Sequence, residues 1–131
     1  MLRVPTKLDS LLEDLIHRTI GCCIEVHRQL GPGLLEAIYQ RAVELELEAA
    51  SITFERERPF PVMYRGRCLY THKLDLVVEN QLMLELKAVE RIHPVHEAQT
   101  LSGLRVSKLQ VALLINFNVR LLPEGIKRKV L

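Results

Sequence analysis

Asp75, Glu85 and Lys87 stand inside LDLVVENQLMLELKAVE, residues 74–90, in two short apolar runs that otherwise read as buried strands. Charges in such runs cost stability unless something pairs with them or uses them. Two neighbouring carboxylates repel, and push a proton onto one of the pair unless a cation sits between them. A hard divalent ion, Mg²⁺ or Mn²⁺, suits two carboxylates, a backbone carbonyl such as that of Leu86, and water. A lysine beside them could position or help activate a water and balance phosphate charge. The chemistry that fits is metal-assisted phosphodiester hydrolysis. The competing reading is a surface ion pair of Asp75 or Glu85 with Lys87 or Lys73, worth at most about 1 kcal/mol. Glu-Leu-Lys is a common tripeptide, so the triad taken alone favours the ion pair.

Whether the two carboxylates meet depends on strand register. Directly opposite residues of an antiparallel pair share a face, so their numbers have a constant sum. A sum of 159, from a two-residue Glu79-Asn80 turn, separates Asp75 from Glu85. A sum of 160 matches Leu74 with Leu86, Leu76 with Leu84 and Val78 with Leu82, and sets Asp75 across from Glu85. The apolar pattern favours 160, which requires a three-residue connection or a bulge. Lys87 then points the same way as Glu85, whereas His72, of opposite parity to Asp75, is expected on the other face.

The elements that carry these residues follow from periodicity. Asp9 or Ser10 can cap a helix to about Leu30, with Leu11, Leu12, Leu15, Ile16, Ile20, Cys23, Ile24 and His27 as its apolar stripe. Gly31-Pro32-Gly33 stops it, and a second helix is expected over residues 34–50. The period changes to two from Ile52. Strands are expected over 60–64 and 68–78, joined at Arg65-Gly66, and over 82–89. A helix over 94–106, a buried strand over 111–115 and a short tail able to add an edge strand complete the order α-α-β-β-β-α-β. The reading is one α/β domain over 1–131 with a mixed sheet of four to five strands.

A chain of 131 residues, 48% hydrophobic and 26% charged, can bury one core, which excludes a disordered protein. The net charge of +2 is compatible with a nucleic-acid partner without arguing for one. The basic residues cluster at Lys127-Arg128-Lys129 and at Arg56, Arg58, Arg65 and Arg67; for each singly, a solvated surface is the simpler reading. Cys22, Cys23 and Cys68 lack metal-ligand spacing, and the adjacent pair falls in an apolar helix, as buried free thiols do. No signal-peptide layout and no apolar run of roughly 20 residues is present, so a cytoplasmic setting without membrane insertion is expected.

The helix, three-stranded meander, helix and strand, with the acidic triad on the second and third strands, resemble the core of the PD-(D/E)XK nuclease superfamily, a restriction-endonuclease-like fold. More narrowly, the chain is similar to the GxxExxY protein family. The matching stretches are Gly31-Pro32-Gly33-Leu34-Leu35-Glu36-Ala37-Ile38-Tyr39, Leu74-Asp75-Leu76-Val77-Val78-Glu79, Glu85-Leu86-Lys87-Ala88-Val89, His96-Glu97-Ala98-Gln99 and Leu114-Ile115-Asn116-Phe117-Asn118. The resemblance implies Asp75 and Glu85 as metal ligands, Lys87 as the catalytic lysine, Glu36 as the acidic residue of the early helix and Gln99 as the polar residue of the later one. It also implies nucleic acid, with DNA expected, as substrate. Two positions depart from the pattern: Gly103 stands where related sequences often carry a tyrosine, and Leu74 where the superfamily's proline commonly precedes the aspartate.

Read from the residues alone, Gly33, Glu36 and Tyr39 are three apart and expected on one helix face. Glu36 is equally a third carboxylate for the cluster or an ordinary first-turn glutamate favoured by the helix dipole. Gly33 reads as a backbone device, and Tyr39 as a packed ring with its hydroxyl at the rim. His96 reads as a helix-start or surface histidine, and Gln99 as either a solvated side chain or a contact to water or DNA. Two functions remain in competition, a metal-dependent nuclease and a nuclease-fold binding module that cleaves nothing. A homodimer is expected from the generous apolar stripe of the first helix.

Overall fold

The computed structural model describes residues 8–131. Helix α1, Ser10–Leu30, is capped by Asp9, whose Oδ1 accepts the Leu12 N–H at 2.8 Å. It stops at Gly31, whose φ of 69° lies in the left-handed region that favours glycine. Helix α2, Glu36–Ala49, begins two residues later than the spacing predicts. The reason is Tyr39. Its hydroxyl donates to the Gly31 carbonyl (2.6 Å) and accepts the Leu34 N–H (3.1 Å), holding the Gly31–Gly33 loop away from helical geometry. Gly33, at φ 101°, therefore lies outside the helix and not on a shared face with Glu36 and Tyr39. The tyrosine is fully buried, stacked on Phe117 at 4.6 Å, so its hydroxyl is a loop anchor and not a rim group.

The strands are β1 (Phe54–Tyr64), β2 (Arg67–Val78), β3 (Leu82–Lys87), β4 (Val111–Asn116) and β5 (Ile126–Val130), ordered β1-β2-β3-β4-β5 in one sheet. All neighbours are antiparallel except β3 and β4, which helix α3, Pro94–Ser107, connects in parallel. The mixed five-stranded sheet flanked by helices is the restriction-endonuclease-like architecture expected from the sequence. β1 starts earlier than its apolar run, because Phe54 packs on the main core and the polar residues Glu55, Arg56 and Arg58 pair with β2 as edge backbone. Pro59 and Pro61 are tolerated there because β1 is an edge strand.

One face of the sheet packs on α1 and α2. Leu12, Ile16, Cys23, Val26, Val43 and Leu47 meet Leu76, Leu84, Val111 and Leu113 in the main apolar cluster. Most of the apolar stripe of α1 is thus spent on the core, but Leu11 and Ile24, assigned to the stripe, are exposed, because they lie to the side of the face that Leu12, Leu15, Ile16 and Cys23 turn to the sheet. His27, assigned to that stripe, is buried, with its Nε2 on the Val119 carbonyl at 2.7 Å. The other face packs on α3 through a smaller cluster of Leu74, Val77, Met83, Leu104 and Ala112. Gly103 belongs to this contact: a Cβ there would stand 3.0 Å from Met83 Cε and 3.1 Å from Leu74 Cδ2, so close helix-to-sheet packing occupies this place.

The alternation of faces slips along β1 and β2. Phe54, Leu76 and Val78 belong to the α1/α2 side, whereas Phe60 and Leu74, of the same parity, pack on the α3 side. The slip falls at Glu57 and Asp75. Arg56 pairs with Leu76 and Arg58 with Leu74, while Glu57, at φ 51°, and Asp75 between them drop out of the ladder. A non-glycine residue in that region inside a strand marks local strain, as at a bulge.

Candidate functional site

The hairpin that builds the site has the expected register. Leu76 pairs with Leu84, Val77 with Met83 and Val78 with Leu82, a sum of 160 throughout, across the three-residue connection Glu79-Asn80-Gln81. Glu79 and Asn80 both adopt positive φ, and Gln81 N–H bonds back to the Val78 carbonyl. The ladder ends there. Leu74 and Leu86 go to opposite apolar clusters, so their expected pairing on one face does not form. Instead the Asp75 carboxylate enters the gap and accepts the Leu86 N–H at 2.9 Å. The N–H and C=O of one strand residue point to the same edge, so the Leu86 carbonyl also turns toward the parting of β2 and β3.

Asp75, Glu85, Lys87 and Gln99 line one open cleft of about 480 Å³ with Val62, Tyr70, His72, Lys73 and Ser102. The expectation that His72 faces away from Asp75 is overturned by the slipped alternation of β2. Gln99 comes from α3, one turn after the helix start. His96 is used structurally: its Nδ1 accepts the His93 N–H at 3.0 Å in a capping arrangement. Glu36 is half-buried in the first turn of α2 and feels both Asp75 and Lys87. Among the described residues, no three His, Cys, Asp or Glu side chains converge closely enough to hold one ion together. Asp75 and Glu85 are therefore the tight pair, with Glu36 at longer range.

The electrostatics follow from burial. Glu85 is pushed up to about 8, first by desolvation and then by the Asp75 charge, against the pull of Lys87. Asp75 is raised by desolvation too, opposed by the Leu86 N–H and Lys87. Glu36 is raised by desolvation and by Asp75. Glu85 Oε1 is buried and meets no donor from the chain. A buried acceptor without a donor carries a desolvation cost that a shared proton or a cation removes. Two half-buried carboxylates, a carbonyl turned toward the same gap and an orphaned oxygen fit a hard divalent ion, all of the donors being oxygen. The surface ion pair is not what forms: neither Asp75 nor Glu85 makes a salt bridge among the described residues.

Sequence reasoning left three supporting residues without a role. Buried Asn116 accepts the Val89 N–H (3.1 Å) and donates to the Val89 carbonyl (2.9 Å), and the Phe117 N–H bonds to the Lys87 carbonyl (2.8 Å). Together they fix the exit of β3 beside Lys87. Gln40 reaches from α2 to the Asp75 carbonyl and to buried Glu44, each at 3.4 Å. Glu57 stands opposite Asp75 where the ladder breaks, and its charge raises the Asp75 carboxyl further. The Leu114-Ile115-Asn116-Phe117-Asn118 run was a visible signal for Asn116, a buried amide at a strand end. Glu57 carries no such signal, since its place depends on the strain in β1.

A family model described as PD-(D/E)XK nuclease superfamily matches residues 13–129, from within α1 to the last strand. No curated protein matches the chain.

Proposed function

The chain belongs to the PD-(D/E)XK nuclease superfamily, and we propose that it hydrolyses phosphodiester bonds of DNA with Mg²⁺ or Mn²⁺ held by Asp75, Glu85 and the Leu86 carbonyl. The observation that carries this is the half-buried Asp75–Glu85 pair with the buried Glu85 Oε1 unpartnered. An ion bound there supplies positive charge to the scissile phosphate and to the leaving oxygen. Lys87, half-buried on the strand that presents Glu85, orients the attacking water and offsets phosphate charge. Gln99 bonds water or the sugar-phosphate backbone at the opposite wall of the cleft. Glu36 acts through water, because its charge couples to Asp75 and Lys87 from a distance. Asn116 positions Lys87 without touching substrate.

Membership of the GxxExxY family is supported by the distinct duties of the three residues: Gly33 makes a left-handed turn, Glu36 faces the acidic pair, and Tyr39 pins the loop between them. A homodimer is supported by Leu35, just before α2, and by Ile38 and Leu45 on it, all apolar and exposed. A dimer mass in solution at micromolar concentration is the expected result.

The test is cleavage of labelled duplex DNA with Mn²⁺ and Mg²⁺. Lys87→Ala should abolish cleavage, a loss of about 10²-fold or more, while Mn²⁺ binding persists. Cleavage by Lys87→Ala at the parent rate would remove the lysine from the mechanism. A parent chain that binds the metal and DNA but cuts neither strand would instead make this a binding module.

A further inference from the structure

Beyond the cleft, the β1–β2 hairpin continues as a two-stranded ribbon that neither apolar cluster needs. β2 pairs with β3 only from Leu76 to Val78, so residues 61–73 have no third strand. The ribbon ends at Arg65-Gly66, both at positive φ, the geometry of a tight two-residue hairpin turn. From Pro61 to the turn it extends roughly 13 Å at about 3.3 Å per residue. Met63, Tyr64, Leu69 and Tyr70 are each more than half exposed along it.

Its charge is one-sided. Residues 61–73 contain Arg65, Arg67 and Lys73 and no acidic residue. Among the described residues, none of these three makes an ion pair. The other basic clusters are paired: Arg56 with Glu44, Arg58 with Glu55, Arg128 with Glu13, and Lys127 and Lys129 with the one carboxylate of Glu97. Lys87, Arg91, Arg105, Lys108 and Arg120 are also without an ion pair among the described residues, but the ribbon joins its three unpaired cations, with no acidic residue between them, to the cleft: its base (Tyr70, His72, Lys73) forms a wall of the cleft holding Asp75, Glu85 and Lys87.

We propose that this ribbon is a clamp for double-stranded DNA, with Arg65 and Arg67 on phosphates and the exposed tyrosines against the groove wall, delivering a strand to the cleft. The clamp rests on the nuclease reading for its purpose, but its geometry is separate from the metal site. The major groove of B-DNA is about 12 Å wide and admits a two-stranded ribbon, whereas the deep, narrow major groove of A-form RNA does not. Charge complementarity and continuity with the cleft favour DNA over a second copy of this chain, which would bring the same cationic turn against itself.

The experiment compares the full chain with Arg65→Gln/Arg67→Gln and with Lys127→Gln, by fluorescence anisotropy on a short labelled duplex without divalent ions across a salt series. Both sites are exposed, and matching circular-dichroism melts check that each variant folds. The double variant should bind on the order of tenfold more weakly at about 0.1 M salt, with the log–log salt slope reduced by about 2. Lys127→Gln, already paired with Glu97, should bind as the parent does. The clamp is overturned if the parent does not bind duplex, if both variants lose affinity equally, if the double variant binds normally, or if it loses a dimer mass that the parent has. Mn²⁺ calorimetry on the same proteins separates the two readings. Absence of metal binding with the arginine effect intact removes the nuclease and keeps the clamp; the reverse result keeps the metal site and removes the clamp.

Discussion

The sheet face under α1 and α2 is sealed, whereas the face under α3 is open at one end. Twenty buried residues make up the apolar cluster on the first face and five make up the cluster on the second. The sealed face supplies most of the burial that stabilises the chain. The open face spends its space differently: past Leu74 and Met83 it gives way to a polar cleft in which carboxylates are held partly out of water. The boundary is a single place, the slip at Glu57 and Asp75. The difference teaches that a small domain can store electrostatic cost on its thin side when its thick side is well packed.

The largest effect should come from breaking the sealed side. Leu84→Ala is expected to cost about 2–5 kcal/mol, the range for a fully buried leucine, whereas Leu101→Ala, partly buried on the α3 side, should cost less than half as much. Urea unfolding of the two variants checks the asymmetry, and equal losses would erase it.

Proton linkage sharpens the comparison next. The Glu85 carboxyl in the folded chain is raised to about 8 from 4.5, so the folded state holds a proton that the unfolded state releases. Its contribution is complete below the unfolded value and is lost as pH rises through the folded one. Stability of the metal-free protein should therefore fall between about 4.5 and 8, by on the order of 1 kcal/mol per pH unit. Glu85→Gln should flatten that fall, and saturating Mn²⁺ should counter it by binding the ionised pair. Thermal melts across pH provide the measurement.

Gly103→Tyr tests the thin side by overfilling it. With Met83 and Leu74 already within 3.2 Å of a Cβ there, the ring must displace α3, at about 1–3 kcal/mol. An unchanged denaturation midpoint would show that the helix has room to move. The smallest effect is on the sealed side: Tyr39→Phe removes two hydrogen bonds from the Gly31 loop, about 1–2 kcal/mol, with the ring packing retained.

The register and the acidic pair were legible because apolar alternation over 74–78 and 82–86 admits only one sum without scrambling a face. The fifth strand was legible less sharply, from the short tail, and the edge position of β1 was not read, although Pro59 and Pro61 signal it. Parity counting failed at His72 and Leu74. Alternation assumes an unbroken pleat, and nothing in Glu57 or Asp75 as residue types announces a break. The role of Tyr39 was similarly hidden, since a buried hydroxyl is anchored by loop backbone whose path depends on Gly31 and Gly33. The pairing of the basic tail was invisible for the same reason: Glu13 and Glu97 meet it only through tertiary contact.

The central claim is that Asp75 and Glu85 form a metal site and not a proton-sharing pair of structural origin. Isothermal calorimetry with Mn²⁺ at pH 8, on the parent, Asp75→Asn and Glu85→Gln, tests it most directly. Saturable binding by the parent, with proton release and with loss of binding in both variants, is the predicted result. A folded parent that takes up no Mn²⁺, or variants that bind as the parent does, would contradict it.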